Sequence, residues 1–175
     1  AHDAAISWIK RSTEPALIEA EGGSGKSHMI AAIADTFHKI SGKHVLCTAP
    51  TVDLVEQNTK KFLATGNKAS IFSASIGKSL RHPIIFGTPL SIHNSINKFG
   101  DKFGLVVIDE AHGITNTIKN IVNEIRLKNN NLRIMGLSAT PFRMGTGFIY
   151  ELDEKGKPVP ESQCINPYFK QKIYT

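Results

Sequence analysis

The sequence has few cysteines and no long apolar run. Its two cysteines among 175 residues, Cys47 and Cys164, are too few for a disulfide framework and too far apart for a clustered zinc site. No apolar run approaches the ~20 residues of a membrane-spanning helix, and the first residues carry no secretory signal pattern. The seven histidines are scattered without metal-binding spacing, so we expect no structural metal. These absences predict a cytoplasmic protein without a membrane partner.

The charge balance is basic but does not by itself define a partner. Lys and Arg number 21 against 15 Asp and Glu, a net charge of +6. This balance permits binding to a polyanion, although a solvated basic surface is the commoner explanation. The length fits one ordinary domain, and 41% hydrophobic residues indicate a globular chain rather than a disordered one.

Apolar segments of strand length alternate with helical segments along most of the chain. Strands are predicted at residues 16–20, 44–48, 69–72, 83–86, 105–108 and 133–137. Helices are predicted at residues 26–40, 51–63, 90–96 and 118–125. This alternation predicts an α/β fold, with a mostly parallel central sheet and helices on both faces. The carboxyl ends of its strands would meet along one edge, where such sheets bind ligands.

The alternation ends near residue 145. Glycine and proline then recur at Gly147, Gly156, Pro158 and Pro160. We therefore predict a domain over residues 1–145 and an extended C-terminal appendage over residues 146–175.

A glycine-rich segment follows the first predicted strand. Residues 20–27 read AEGGSGKS, the phosphate-loop pattern GxxxxGK[ST] with alanine in place of the first glycine. The residues predicted to bind a nucleotide are Gly22, Gly23, Ser24, Gly25, Lys26 and Ser27. Lys26 would reach the β- and γ-phosphates, and Ser27 would bind Mg²⁺. A chance glycine-rich turn is the alternative, but the position between a predicted strand and helix favours the phosphate loop.

Two adjacent acidic residues follow the most apolar predicted strand, in the sequence VIDEAH of residues 107–112. Asp109 is placed to hold Mg²⁺, and Glu110 to orient and polarise the attacking water. Solvated loop acids are the alternative, but the apolar strand and a phosphate loop ~80 residues upstream favour catalysis. We therefore predict Glu110 and Lys26 as catalytic residues, with Asp109 and Ser27 as magnesium ligands.

Three further strand ends carry small or hydroxyl residues. The pairs that follow two of them are Pro50 with Thr51 and Gly87 with Thr88. Backbone N–H groups at these helix starts could bind a nucleic-acid phosphate, although ordinary N-caps would have the same sequence. Ser138 and Thr140 follow the last strand, where they could hydrogen-bond the acidic pair or form a plain turn.

In this order and spacing, the five segments resemble motifs I, Ia, Ib, II and III of superfamily 2 helicases and translocases over roughly residues 16–143. Residues 109–112 read as a DEAH box. A closer likeness is to the RadD (YejH) group of bacterial and phage DNA-repair helicases. It rests on GLSATPFRMGTGFIY at residues 136–150 and on QCI at residues 163–165.

The resemblance implies a RecA-like P-loop NTPase domain that couples hydrolysis of ATP, with Mg²⁺, to movement on or remodelling of DNA. It implies that Thr51 and Thr88 lie near the nucleic-acid backbone. It also implies that His112 couples the nucleotide site to Ser138 and Thr140; a capping histidine without that role is the alternative. RNA helicases and restriction-enzyme motors share these motifs, so RNA stays open as a partner.

Two features depart from the family pattern. Ala1 stands where a glutamine that reads adenine is expected, so these residues give no support for adenine selectivity. A second RecA-like domain, with its arginine finger, has no room in 175 residues. We therefore expect the N-terminal half of a longer ATPase, which by itself binds nucleotide weakly and is inactive or weakly active.

Two proteins of other classes could share the phosphate loop. A small P-loop kinase would need an acceptor pocket and a lid, and would not need the DEAH and Ser-Ala-Thr segments. A non-catalytic nucleotide-dependent binding module would be expected to lose the lysine or the acidic pair, which are intact here.

Overall fold

The computed structural model describes residues 1–175 and contains five α-helices and eleven β-strands. The helices are α1 (His2–Arg11), α2 (Lys26–Ser41), α3 (Val52–Leu63), α4 (Pro89–His93) and α5 (Asn116–Lys128). The strands are β1 (Ala16–Glu19), β2 (His44–Thr48), β3 (Ser70–Ser73), β4 (Gly77–Lys78), β5 (Ile84–Gly87), β6 (Phe103–Asp109), β7 (Arg133–Ser138), β8 (Phe142–Arg143), β9 (Gly147–Phe148), β10 (Tyr150–Leu152) and β11 (Phe169–Tyr174). Short 3-10 helices cover Ile96–Lys98, Ala111–Gly113 and Glu161–Gln163. No helix combines the length and apolarity needed to cross a membrane.

Nine strands form one sheet in the order β10-β11-β1-β7-β6-β2-β5-β3-β4, and β8 and β9 form a separate hairpin. Within the large sheet only β3 and β4 pair antiparallel. The predicted mostly parallel α/β fold is therefore confirmed. The five strands that lead into the motif turns, β1, β7, β6, β2 and β5, are consecutive in the sheet, so their carboxyl ends lie side by side.

Alternate side chains of the central strands enter two separate cores. Val45 and Val107 pack on the face covered by α1, α2 and α3. Leu46 and Val106 pack on the opposite face, which is covered by α4 and α5. Burial on both faces explains why β2 and β6 are continuous apolar runs, and it confirms the prediction of helices on both sides.

The segment after residue 145 packs against the rest of the domain through its last strand. Strand β11 runs parallel to β1, and Phe169 is fully buried against Gly136. The sequence FKQKIY of β11 did not predict an interior strand because it carries two lysines. Lys170 pairs with Glu151 and Lys172 pairs with Glu19, which lets the strand join the sheet. Helix α1 and the two-residue strand β4 were not predicted.

Candidate active site

Two glycines shape the turn between β1 and α2. Gly23 and Gly25 have φ values of 81° and 80°, in the left-handed region where other residues are strained. Gly25 is the N-cap of α2, and no side chain caps this helix. The first N–H groups of α2 are therefore available to an anion, together with the positive end of the helix. The structure thus places the glycines of the predicted phosphate loop where a phosphate could be bound.

Lys26, at the start of α2, reaches across to the end of β6. Its Nζ forms an ion pair with Glu110 Oε1 and lies 3.9 Å from Asp109 Oδ1. Asp109 is only 5% exposed, whereas Glu110 is half-buried. These residues, with Ser27 and Gln57, line a cleft of about 260 Å³. The predicted phosphate loop and the predicted acidic pair therefore share one cleft.

The backbone of Glu110 is strained. Its φ and ψ of 52° and 49° are left-handed, and among the non-glycine residues only Asn166 shares a positive φ. Such a conformation costs on the order of 1–3 kcal/mol and persists where the surroundings enforce it. Here the Glu110 N–H donates to Asp109 Oδ1 at 2.9 Å, and the Glu110 carbonyl accepts from Gly113 N at 2.9 Å. In this conformation the Glu110 carboxylate contacts Lys26.

A second set of contacts leads from Glu110 to the turn after β7. Glu110 Oε2 lies 3.3 Å from His112 Nδ1, which lies 2.9 Å from Ser138 Oγ. Ser138 is fully buried, and its hydroxyl accepts a hydrogen bond from Thr140 N at 3.1 Å. The structure therefore brings the three predicted coupling residues together, although Thr140 takes part through its backbone N–H and not its hydroxyl.

Two consecutive residues of α3 hydrogen-bond the predicted magnesium ligands, and neither was predicted as a site residue. Gln57 Nε2 donates to Ser27 Oγ at 3.3 Å, and Asn58 Nδ2 donates to Asp109 Oδ2 at 2.9 Å. One signal was present in the sequence, because Asn58 falls between Val55 and Phe62 on the buried stripe of α3. A polar residue on an apolar stripe indicates a specific partner.

Ser27 and Asp109 have the chemistry of magnesium ligands. Mg²⁺ prefers oxygen, and in nucleotide sites it takes one or two protein ligands plus phosphate oxygens and water. Each carboxylate oxygen of Asp109 accepts one hydrogen bond in this structure and keeps a lone pair for a cation. No cluster of three His, Cys, Asp or Glu side chains could hold a metal, so a cation here would complete its shell from phosphate and water. These residues fit Mg²⁺ on that basis.

Cys47 lies behind this site and is not part of its chemistry. Burial, and then the negative charge of Asp109, raise the pKa of the Cys47 thiol above its ordinary value. The thiol therefore stays neutral, and a neutral thiol is a poor nucleophile.

The residues predicted to contact nucleic acid lie at neighbouring strand ends, because β2 and β5 pair through Thr48 and Gly87. Pro50 and Thr51 are exposed. The Thr51 hydroxyl accepts from Leu54 N at 3.3 Å and is therefore the N-cap of α3. This contact is that of an ordinary N-cap, so nucleic-acid binding by Thr51 stays a prediction.

The second pair has an explanation in packing. Gly87 is buried, and a Cβ there would lie 2.6 Å from the Phe72 carbonyl oxygen, so only glycine fits. Thr88 precedes α4 without capping its backbone, and its hydroxyl donates to Ser91 Oγ at 3.0 Å. A nucleic-acid role for these residues stays a prediction.

All the candidate site residues lie within one family match. Residues 1–143 match the family described as Type III restriction enzyme, res subunit. The chain belongs to this family. No curated protein matches the chain.

Solved structures with the same fold are helicase domains. The Hef helicase domain from Pyrococcus furiosus has a TM-score of 0.74 and 24% identity, over 99% of this chain and 37% of that chain. The UvsW helicase from bacteriophage T4 has a TM-score of 0.69 and 20% identity, over 99% and 58%. A hypothetical ATP-dependent RNA helicase from Sulfolobus tokodaii has a TM-score of 0.58 and 21% identity, over 81% and 51%. These likenesses establish a RecA-like helicase fold, and the chain spans less than two thirds of each protein.

Proposed function

We propose that the chain is the ATP-binding first motor domain of a superfamily 2 helicase or translocase that acts on DNA. The observation that carries this proposal is the unbroken set of polar contacts from Lys26 through Glu110 and His112 to Ser138. It joins three turns that are distant in sequence. A chance glycine-rich turn gives no reason for such contacts, and a kinase does not need the link to the turn after β7.

In the proposed mechanism, Lys26 leaves Glu110 and binds the β- and γ-phosphates of ATP. Glu110 is then free to orient and polarise the water that attacks the γ-phosphate. Ser27 and Asp109 would hold Mg²⁺, which would neutralise charge on the phosphate oxygens.

DNA as the substrate rests on the likeness to RadD-type DNA-repair helicases. The two segments that carry this likeness, residues 136–150 and 163–165, contact each other. Gly147 and Cys164 form an antiparallel bridge, and Ile165 N donates to Thr146 O at 2.8 Å. A side chain at Gly147 would collide with the backbone of Gln163. This contact supports treating the two segments as one motif.

We also propose that residues 1–145 form the nucleotide-binding part and that residues 146–175 lead towards a second RecA-like domain. That domain would supply the cations opposite the γ-phosphate, since an arginine finger is worth ~10³–10⁵ in rate. The 175-residue chain should therefore bind nucleotide weakly and hydrolyse ATP slowly or not at all.

A restriction-enzyme motor is the second candidate, because the matched family is described by such a subunit. An RNA helicase is the third, because one similar structure is described as one. Comparing stimulation of the full-length ATPase by duplex DNA, single-stranded DNA and RNA separates these functions. Stimulation by RNA alone would overturn the DNA assignment.

The experiment that tests nucleotide binding is the substitution Lys26→Ala, with Lys39→Ala in the exposed last turn of α2 as the matched control. A charge-assisted contact is worth about 1.5–3 kcal/mol, so affinity for a fluorescent ADP or ATP should fall about 10- to 100-fold. The control should bind like the wild type. Unchanged affinity in a folded Lys26→Ala protein would remove the phosphate-loop assignment.

A further inference from the structure

We propose that α3 positions both candidate magnesium ligands through Gln57 and Asn58. This inference rests on the proposed function and adds two positioning residues to it. Neither residue is assigned a contact with phosphate or with the attacking water. Their partners are Ser27 and Asp109, the two side chains that fit Mg²⁺.

Burial of the Asn58 amide is unfavourable, and packing alone does not explain it. It is 2% exposed, and its Oδ1 is buried without a hydrogen-bond partner. The amide orientation follows from Asp109, because an ionised carboxylate accepts hydrogen bonds and cannot donate them. An apolar residue of similar size would avoid the unpartnered oxygen and extend the stripe of Val55 and Phe62. The amide is therefore better explained by what it does for Asp109 than by packing.

Both hydrogen bonds leave the ligand atoms able to bind a cation. Ser27 Oγ has two lone pairs and a proton, and Gln57 uses one lone pair. Asp109 Oδ2 likewise keeps a lone pair beside the bond from Asn58. The two donors restrict the directions in which the remaining lone pairs point, as outer-shell partners of metal ligands do.

The test measures the Mg²⁺ dependence of fluorescent ADP binding by the 175-residue chain. The variants are Asn58→Leu and Gln57→Leu, and the matched control is Asn123→Leu on the exposed face of α5. We expect the Mg²⁺ concentration for half-maximal enhancement to rise about 10- to 100-fold in Asn58→Leu, and less in Gln57→Leu. Affinity without Mg²⁺ should stay close to that of the wild type, because Lys26 and the phosphate loop are intact.

The outcomes separate this inference from the proposed function. A wild-type chain that binds no nucleotide would overturn the proposed function. Wild-type binding with an unchanged Mg²⁺ dependence in both variants would overturn the positioning role alone. Since Gln57 is exposed, Gln57→Leu should fold even where Asn58→Leu does not, and its Mg²⁺ dependence then decides.

Discussion

The polar residues on the two halves of the sheet edge make different kinds of contact. After β1, β6 and β7 they contact one another across turns, as Lys26 does with Glu110 and His112 with Ser138. After β2 and β5 the hydroxyls of Thr51 and Thr88 contact only groups three residues further along their own helices. Both halves lie at the carboxyl ends of adjacent parallel strands.

This difference in contacts determines how strongly each half of the sheet edge supports a function. A helix cap is favourable by itself, so it explains a threonine without any ligand. Lys26, by contrast, is a partly buried charge that contacts the strained residue Glu110 on another turn. Burial of a charge and backbone strain are both unfavourable, so stability alone does not explain this arrangement. The turns after β1, β6 and β7, which we call the nucleotide half, therefore support a function through their geometry. The turns after β2 and β5, the nucleic-acid half, depend on resemblance.

The largest expected effect is on ATP turnover and comes from substitution of Glu110 in the nucleotide half. In the full-length enzyme, Glu110→Gln should lower ATP turnover by about 10²–10⁴, because an amide does not polarise water as a carboxylate does. Nucleotide affinity should be retained or rise, since Lys26 loses its ion pair. Steady-state hydrolysis and equilibrium binding measure the two effects, with Glu124→Gln on the exposed face of α5 as the control. Normal turnover in Glu110→Gln would exclude the proposed role.

The next effect tests the support beneath the phosphate loop. Lys172 is 9% exposed, and its Nζ lies 2.9 Å from Glu19 Oε2, next to the loop, and 3.3 Å from Glu154 Oε2. Lys172→Met keeps the approximate length of the side chain but leaves Glu19 and Glu154 without their ion pairs to Lys172. Because these acids remain partly exposed, we expect a loss of about 1–3 kcal/mol in the free energy of unfolding, below the full cost of breaking a buried pair. Urea denaturation measures it, with Lys155→Met as the control.

The same pair predicts a dependence on pH. Burial by itself would lower the pKa of Lys172, but the hydrogen bond to Glu19 and the nearby negative charges raise that pKa above its ordinary value of 10.5. A raised pKa in the folded state means that the contribution is complete below pH 10.5 and is lost above it. The difference in unfolding free energy between wild type and Lys172→Met should therefore be constant near neutral pH and shrink in strong alkali. A difference that grows in alkali would contradict the pairing.

A smaller effect tests the link from the nucleotide half to the turn after β7. Ser138→Ala removes a buried hydroxyl that contacts His112 and Thr140. One hydrogen bond is worth about 0.5–1.5 kcal/mol, so DNA-stimulated turnover should fall up to about tenfold. Nucleotide affinity should change less than stimulated turnover does. Equal losses in both quantities would show that Ser138 only supports the fold.

The smallest expected effect tests whether Thr51 and Thr88, in the nucleic-acid half, contact nucleic acid. Thr51→Val removes an N-cap, worth about 0.5–2 kcal/mol of stability, whereas Thr88 caps no backbone group and Thr88→Val should cost less. If both hydroxyls lie at a nucleic-acid backbone, both variants should weaken oligonucleotide binding by about threefold, as the loss of one neutral hydrogen bond would. A loss of stability in Thr51→Val with unchanged binding in both variants would assign these residues to capping and packing alone.

Much of the fold and the position of the candidate nucleotide site could be predicted from local sequence. Apolar periodicity located α2, α3 and α5, and the continuous apolar run of residues 105–108 located β6, because these patterns depend on neighbours only. Gly42, with φ of 68°, ends α2 just beyond the predicted helix, and Thr51 caps α3. The phosphate loop and the acidic pair were visible because their chemistry needs particular residues at short spacing.

By itself, then, the sequence determined the central strands, the helices α2, α3 and α5, and which turns carry the glycine-rich and acidic segments. Only the tertiary structure decided which of these residues meet. Asn58 reaches Asp109 across 51 residues, and Lys172 reaches Glu19 across 153. Such contacts follow from the strand order, which seats β11 beside β1 and packs α3 over the end of β6. Strand order is set by the packing of the whole domain, so no pattern confined to neighbouring residues encodes it.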